Sequence, residues 1–443
     1  MSDIDTDPVV ITGMAVEAPG GIETPEDYWD ALADGVELIG RFPRDRGWPL
    51  EEMFALGELD GWRGIADAGG FLDAAGEFDP AFYGISRREA IAMDPQQRVG
   101  LRVAWKALEN SGIHPGSLDG ADVGCFVGAS PMLYGPPADE VNDYSGHRVV
   151  GLGQLGVAAR VSHALGLVGP SMCVDSACAS SLTALGLAVS AVRSDECEWA
   201  IAGAVSVIAS PGVFYEFARN HALAIDGHCR AYSEETTGTV WGEGAGMVIV
   251  ERLSRAQALG HRVLGHIKGV RTNHNGKGKP ILVPRLGAQQ KLIEKTLEVS
   301  GVDPALIGMI EGHGTATKAG DPIELTALQN TYGMAATRRS ATEGPLLGSV
   351  KSNAGHSQAA AGLMGLIKLL LAGSHGAIPP TLFADTPTSA LDWSRTSMRL
   401  AAELTKWEAI EGFRYGAVSS FGAGGANAHA IIAMPEHEEN GDH

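Results

Sequence analysis

Short apolar runs bounded by glycine, proline or charged residues recur along the chain. Between them lie longer segments whose apolar residues repeat with the helical period. The runs at 9–13, 123–128, 172–175, 199–208 and 247–251, and then at 263–270, 306–311, 346–350, 415–419 and 428–433, predict buried strands. The segments 97–111, 179–192, 287–300, 322–332 and 359–372 predict helices. Strands alternating with helices imply α/β layering. The series reads as two comparable sets joined around residues 252–262, although no sequence repeat is strong enough to establish duplication. The segment 40–70, rich in Gly, Asp, Arg and Trp, reads as a long surface insertion, and 130–144 as a loop over a pocket. The polar tail after Pro435 reads as disordered.

Length and charge narrow the class. A chain of 443 residues exceeds one ordinary core, which favours two domains or one large fold of two similar halves. With 33 basic and 53 acidic residues the formal charge is -20, which argues against general affinity for nucleic acid or an anionic membrane surface. The acidic start MSDIDTDPVVITGM has no basic region ahead of an apolar one, so it is not a signal peptide. The most apolar stretch, 359–373, is too short to span a bilayer and contains Lys368. A soluble, cytoplasmic protein is expected. The five cysteines, Cys125, Cys173, Cys178, Cys197 and Cys229, show no CxxC and no regular spacing, which disfavours a disulfide framework or a zinc site.

Four segments carry candidate chemistry. In VDSACASSL, residues 174–182, Cys178 follows a strand pattern and opens an uncharged helix pattern. In the first turn of that helix a thiol would feel the positive end of the dipole, which favours the thiolate, and its backbone N–H would be free to hold an oxyanion. Free cysteine is also among the most buried residue types, and this segment alone admits both readings. In EGHGTATKAGDPIE, residues 311–324, His313 follows a strand end, where α/β folds place ligands, and an imidazole there can donate to developing negative charge. Asp321 and Glu324 taken separately read as helix-capping residues. In GSVKSNAGHSQAAAG, residues 348–362, a short strand leads into Lys351, Asn353 and His356. Metal binding is the rival reading for two histidines, but no acidic third ligand stands at ligand spacing. In SSFGAGGANAH, residues 419–429, the glycines indicate a tight turn between strands.

Taken together, these four motifs resemble the β-ketoacyl synthase family of the thiolase superfamily, specifically the ketosynthase domains of modular type I polyketide synthases. MDPQQR (93–98), GRFPRDRGW (40–48) and WGEGAGMVIVERL (241–253) extend the likeness over almost the whole chain. The resemblance implies a thiolase fold of two similar halves in a five-layered α/β/α/β/α arrangement. Residues 1–258 would carry the nucleophile, 259–435 both histidines, and 436–443 a disordered tail. It implies a homodimer in which Cys178 accepts an acyl group from the 4'-phosphopantetheine of an acyl carrier protein acting in trans. Decarboxylative Claisen condensation with a malonyl-type extender then follows. His313 and His356 would donate to the enolate oxygen, and Lys351 would hold the histidine network with Glu324. The N–H groups of Cys178 and Ala423 would form the oxyanion hole, with Phe421 and Ala423 at the gate. Thr315 and Thr317 would bind the pantetheine arm, and Asp321 and Asn353 would support the site. No bound cofactor, metal, nucleic acid or membrane partner is implied.

Departures from the family pattern bear on substrate. Ala423 stands where a bulky gating residue is usual, Ala426 where a threonine is usual, and Asn275 where an Asp is usual. With no acyltransferase, reductase or carrier segment in the sequence, the chain reads as a free-standing ketosynthase. The alternative is a trans-acting ketosynthase that cyclises its carrier-bound substrate through a C–C, lactone or lactam bond, for which salinosporamide-type pathways offer a precedent. A non-catalytic heterodimer partner is disfavoured by the presence of Cys178, His313 and His356 together.

Overall fold

In the computed structural model, residues 7–137, 139–278, 280–334 and 344–436 are described. Each expected strand forms. The first set is β1 (Val9–Glu17), β2 (Val123–Gly128), β3 (Ser171–Val174), β4 (Trp199–Ser206) and β5 (Gly244–Arg252). The second is β6 (Gly265–His274), β7 (Ile307–Glu311), β8 (Leu346–Gly348), β12 (Phe413–Phe421) and β13 (Ala426–Pro435), with three two-residue strands interposed: β9 (Ala377–Ile378), β10 (Arg399–Leu400) and β11 (Thr405–Lys406).

Strand order reveals the repeat that the sequence hides. The large sheet runs β10-β8-β7-β12-β13-β6-β1-β5-β4-β2-β3. Within it, β3-β2-β4-β5-β1 and β8-β7-β12-β13-β6 share one order. The pairing senses also match: parallel, parallel, antiparallel, antiparallel along each set. The two sets meet at a short antiparallel seam, Val10 opposite His266 and Ile11 opposite Gly265. The connection between them, around 252–262, contains the helix Leu253–Leu259.

Three apolar clusters define the layers. The central one joins the helices Ser180–Arg193 and Ala361–His375 to strands of both sets. The second needs no polar face, because it is buried from Ala361 to Gly373, whereas the first leaves Leu187 and Ser190 exposed. The helices Pro95–Asn110 and Gly156–Leu165 close the outer face of the first set, and Leu286–Ser300 and Gly320–Leu328 that of the second. The resulting α/β/α/β/α stack is the expected fold class. Lys368, the charge in the apolar central helix, is fully buried and lies 2.8 Å from Glu311 Oε2 at the end of β7.

Some expectations need correction. The segment 40–70 is more than a surface insertion: Phe42, Met53 and Ile65 pack with Phe71, Phe214 and Trp241 in an aromatic cluster, burying what its polar residues obscured. The segment 130–144 is a loop, but none of its described residues lines the Cys178 cavity. It is anchored instead by Tyr134, whose hydroxyl accepts from Arg98 at 2.9 Å. Of the expected disordered tail, 437–443 lie outside the described residues.

Candidate active site

The repeat determines where chemistry collects. Cys178 follows β3 and the Lys351–His356 turn follows β8, its counterpart, while His313 follows the neighbouring β7. All three turns therefore stand at the carboxyl ends of parallel strands, where α/β sheets place ligands.

Cys178 sits on a constrained elbow. Ala177 has φ +53°, an unusual value for a residue with a Cβ. Hydrogen bonds hold it there: Ala177 N–H donates to Asp175 Oδ1 at 2.9 Å, and Ser180 N–H and Oγ donate to Ala177 O at 3.0 and 2.6 Å. The helix begins at Ser180, with Ala179 as its N-cap. Cys178 thus precedes the helix instead of occupying its first turn, because the elbow consumes the residues the sequence pattern assigned to that turn.

The hairpin turn between β12 and β13 closes over this elbow. A Cβ at Gly422 would lie 2.4 Å from Ser176 O, so only glycine permits the approach. Ser420 Oγ donates to Cys178 O at 2.6 Å and fastens the two segments. The backbone N–H groups of Ala423 and Cys178 both act on the Cys178 thiol in the direction that favours the thiolate. Ala423 is exposed in the turn and Phe421 is buried, and both line the cavity.

Cys178, 8% exposed, opens into a cavity of about 350 Å³. Its Sγ and one ring nitrogen from each of His313 and His356 lie within 4.8 Å of one another. The His313 and His356 rings are perpendicular, 5.4 Å apart, and Trp241 lies 5.0 Å from His356. His356 Nδ1 accepts from Gln358 N–H at 3.0 Å, which leaves the proton of a neutral ring on Nε2 as a donor. Burial first, then the nearby Lys351, hold both imidazoles well below their ordinary pKa, so both are neutral. Two neutral imidazoles can donate to a developing oxyanion without carrying charge into the pocket. A Cys/His/His set can also ligate a zinc-sized ion, and the Lys351 side chain beside it opposes a dication.

Lys351 is buried. Burial lowers its pKa, while the carboxylates of Glu311 and then Glu324 act in the opposite direction. Glu324 receives the His313 and Gly314 N–H groups at 2.6 and 2.8 Å and the Tyr232 hydroxyl at 3.0 Å, so it fixes the His313 turn instead of capping a helix. Asp321 receives Tyr232 N–H at 2.9 Å and Thr317 N–H at 3.3 Å, and burial pushes its carboxyl up to about 7. Thr315 and Thr317 line the cavity, their hydroxyls 3.0 Å apart. Asn353 lies apart from the cavity wall: its Nδ2 donates to Val36 O at 3.0 Å, which ties the Lys351 turn to the N-terminal region.

Glu311, Lys368, Tyr232 and Trp241 were not identified as site residues from the sequence. Glu311 Oε1 accepts Val350 N–H at 2.6 Å, directly ahead of Lys351, and Lys368 sits against its other oxygen. The available signal was a lone lysine in an apolar helix, because a buried charge needs a partner.

Burial raises the Cys178 pKa, contrary to the lowering expected from a helix dipole. Lys351 is the strongest opposing influence, followed by the two N–H groups. Alkylation of Cys178 by iodoacetamide is therefore expected to speed up as pH rises through neutrality. In Lys351→Met the same profile should move to higher pH, as followed by intact-protein mass. A profile that stays in place would show that Lys351 does not act on the thiol.

Comparison with known proteins agrees with this geometry. The family profile described as Beta-ketoacyl synthase, N-terminal domain matches residues 6–256, and that described as Beta-ketoacyl synthase, C-terminal domain matches 264–385. The chain belongs to the β-ketoacyl synthase family. It is a ketosynthase of the polyketide synthase type. Polyketide synthase GfsA of Streptomyces halstedii is 44% identical over 433 residues, which cover 96% of this chain and 6% of that protein. Pikromycin polyketide synthase component PikAII of Streptomyces venezuelae is 45% identical over 97% of this chain and 12% of its own length. The chain therefore spans a small fraction of these relatives. Among solved structures, the ketosynthase from module 6 of the bacillaene synthase of Bacillus subtilis 168 superposes with TM-score 0.88 at 33% identity, covering 98% of this chain and 73% of that one. The oxazolomycin ketosynthase domain OzmH KS7 of Streptomyces albus JA3453 gives 0.87 at 35%, covering 98% and 76%. No helix among the described residues is long and apolar enough to cross a membrane.

Proposed function

We propose that this chain is a condensing enzyme that elongates an acyl chain held on Cys178. The Cys178 thiolate attacks the thioester carbonyl of an acyl-phosphopantetheine on an acyl carrier protein, and the carrier thiol leaves. A second, malonyl-type carrier thioester then loses CO2, and its enolate attacks the acyl-Cys178 carbonyl. The new C–C bond forms as the Cys178 sulfur departs. The observation that carries this reading is the convergence of Cys178 Sγ with the ring nitrogens of His313 and His356 within 4.8 Å in one buried cavity.

Each remaining group has a place in the scheme. The N–H groups of Cys178 and Ala423, both of which act on the thiol, stabilise the tetrahedral oxyanion of acyl transfer. Neutral His313 and His356 hold the enolate oxygen, and Lys351 with Glu324 keeps them in place. Thr315 and Thr317 receive the pantetheine arm, and Phe421 and Ala423 flank the entry. With the halves divided at 258/259, the first supplies the nucleophile and the second both imidazoles.

We also propose a homodimer. Among the described residues β3 ends the large sheet with one side unpaired, and Met172 on it and nearby Val168 are 43% and 68% exposed. A second copy paired there across a twofold axis would cover both.

The test is incubation of the purified chain with acyl-carrier and malonyl-carrier thioesters, followed by mass analysis of products. CO2 release with a two-carbon gain supports elongation. Acyl-Cys178 followed by an extender-independent product, unchanged in mass or lighter by water, supports the cyclising alternative, which the small Ala423 favours. Absence of acyl-Cys178 with every thioester refutes both.

A further inference from the structure

The cavity beside Cys178 is not uniformly apolar. Among the described residues, four buried polar atoms on its wall have no hydrogen-bond partner, and Oε1 of Gln289 and Nε1 of Trp241 are the two that nothing else in the site explains. Gln289 is 1% exposed and Trp241 4%. Two further atoms share this condition but are otherwise accounted for. His313 Nδ1 belongs to the reacting centre, and Thr239 Oγ1 lies against the Cys229 thiol.

Nearby amides make the contrast plain. Asn427 Nδ2 donates to Asn273 Oδ1 and Asn275 Oδ1, each at 3.0 Å, and Asn273 Nδ2 donates to Ala288 O at 2.8 Å. Gln289 is the next residue along the helix Leu286–Ser300, yet its amide oxygen takes no part in this network. A buried amide left unpaired is costly, and an atom that lines a ligand cavity can be paired by the ligand.

We infer that Gln289 and Trp241 form a polar subsite for an acyl chain bearing hydroxyl groups. A hydroxyl can donate to the Gln289 amide oxygen or accept from the Trp241 N–H. Because it can do either, it pairs with the Gln289 amide whichever way that group is turned. Phe217, Ala222, Leu282, Pro284 and Phe421, also on the wall, take the carbon skeleton. The substrate class is thus a hydroxylated acyl thioester in preference to its saturated counterpart. This inference rests on the proposal that Cys178 carries the acyl chain.

The experiment compares acylation rates of Cys178 in the full chain by intact-protein mass. The probes are paired N-acetylcysteamine thioesters of equal length, saturated or with one hydroxyl at C3 or C5. At least one hydroxylated probe is expected to react about tenfold or more faster than its saturated pair, as for sites built to bind a hydroxyl. In Gln289→Leu that ratio should fall to about one. A wild-type ratio near one for every pair overturns the inference without any variant. So does a ratio that survives in Gln289→Leu. If no probe acylates Cys178, the functional proposal fails first and the inference falls with it.

Discussion

Cys178→Ala is expected to abolish acylation of the protein by every carrier or N-acetylcysteamine thioester. The other four cysteines do not substitute for it. Burial pushes the thiols of Cys125, Cys173, Cys197 and Cys229 up, to about 12 for the first and about 11 for the rest. None of these four thiols lines the cavity. Burial raises the Cys178 thiol as well, but Lys351 and two N–H groups act on it in the stabilising direction. Removal of a nucleophile from a site of this kind costs on the order of 10⁶ in rate, which places the variant below detection. The fold should survive, because the elbow is held by Asp175 and Ser180 and the fastening bond from Ser420 uses the backbone carbonyl of residue 178. Intact-protein mass after exposure to thioester checks the prediction. A retained mass increase would move the nucleophile elsewhere.

The sequence made the strands and the motif residues legible, for a physical reason in each case. Buried strands of a parallel core are near-continuous apolar runs, so β2 was read at its observed bounds and β7 within one residue. The motif turns were legible because their glycines are required sterically, as at Gly422, where any side chain would strike Ser176 O. The duplication was legible only as two comparable sets of strands, because its proof resides in strand order and pairing sense, which no single strand encodes. The start of the helix after Cys178 was misread for a local reason. Periodicity records which residues face the core, and Ala179 faces it as fully as Leu182 does without being helical. The pairing of Glu311 with Lys368 joins residues distant in sequence, and neither position alone reveals the other. Gln289 was also invisible, since its significance lies in a hydrogen bond that its neighbours make and it does not.

His356→Ala should separate the two half-reactions. In the proposed scheme acyl transfer uses the Cys178 thiol and the N–H groups of Cys178 on the elbow and Ala423 on the hairpin turn, and His356 provides neither. Formation of the enolate in that scheme calls for a donor at the carbonyl oxygen, the role proposed for His356 Nε2–H, whose Nδ1 is occupied by Gln358 N–H. Acylation in this variant is therefore expected to stay within about tenfold of wild type, whereas decarboxylation of a malonyl thioester and product formation should fall by roughly 10² to 10³, the usual effect of deleting one preorganised donor. The cavity limits compensation: His356 is 2% exposed and its backbone is tied to Val240 and Gly242, so the gap left by alanine stays inside a packed wall. His356→Asn, which returns a short N–H donor, should recover part of the lost decarboxylation. Measuring CO2 release and acyl-Cys178 formation on the same samples provides the check. Equal losses in both steps would mean that His356 serves the thiol instead of the enolate. An unchanged rate of CO2 release would assign the donor role to His313 alone.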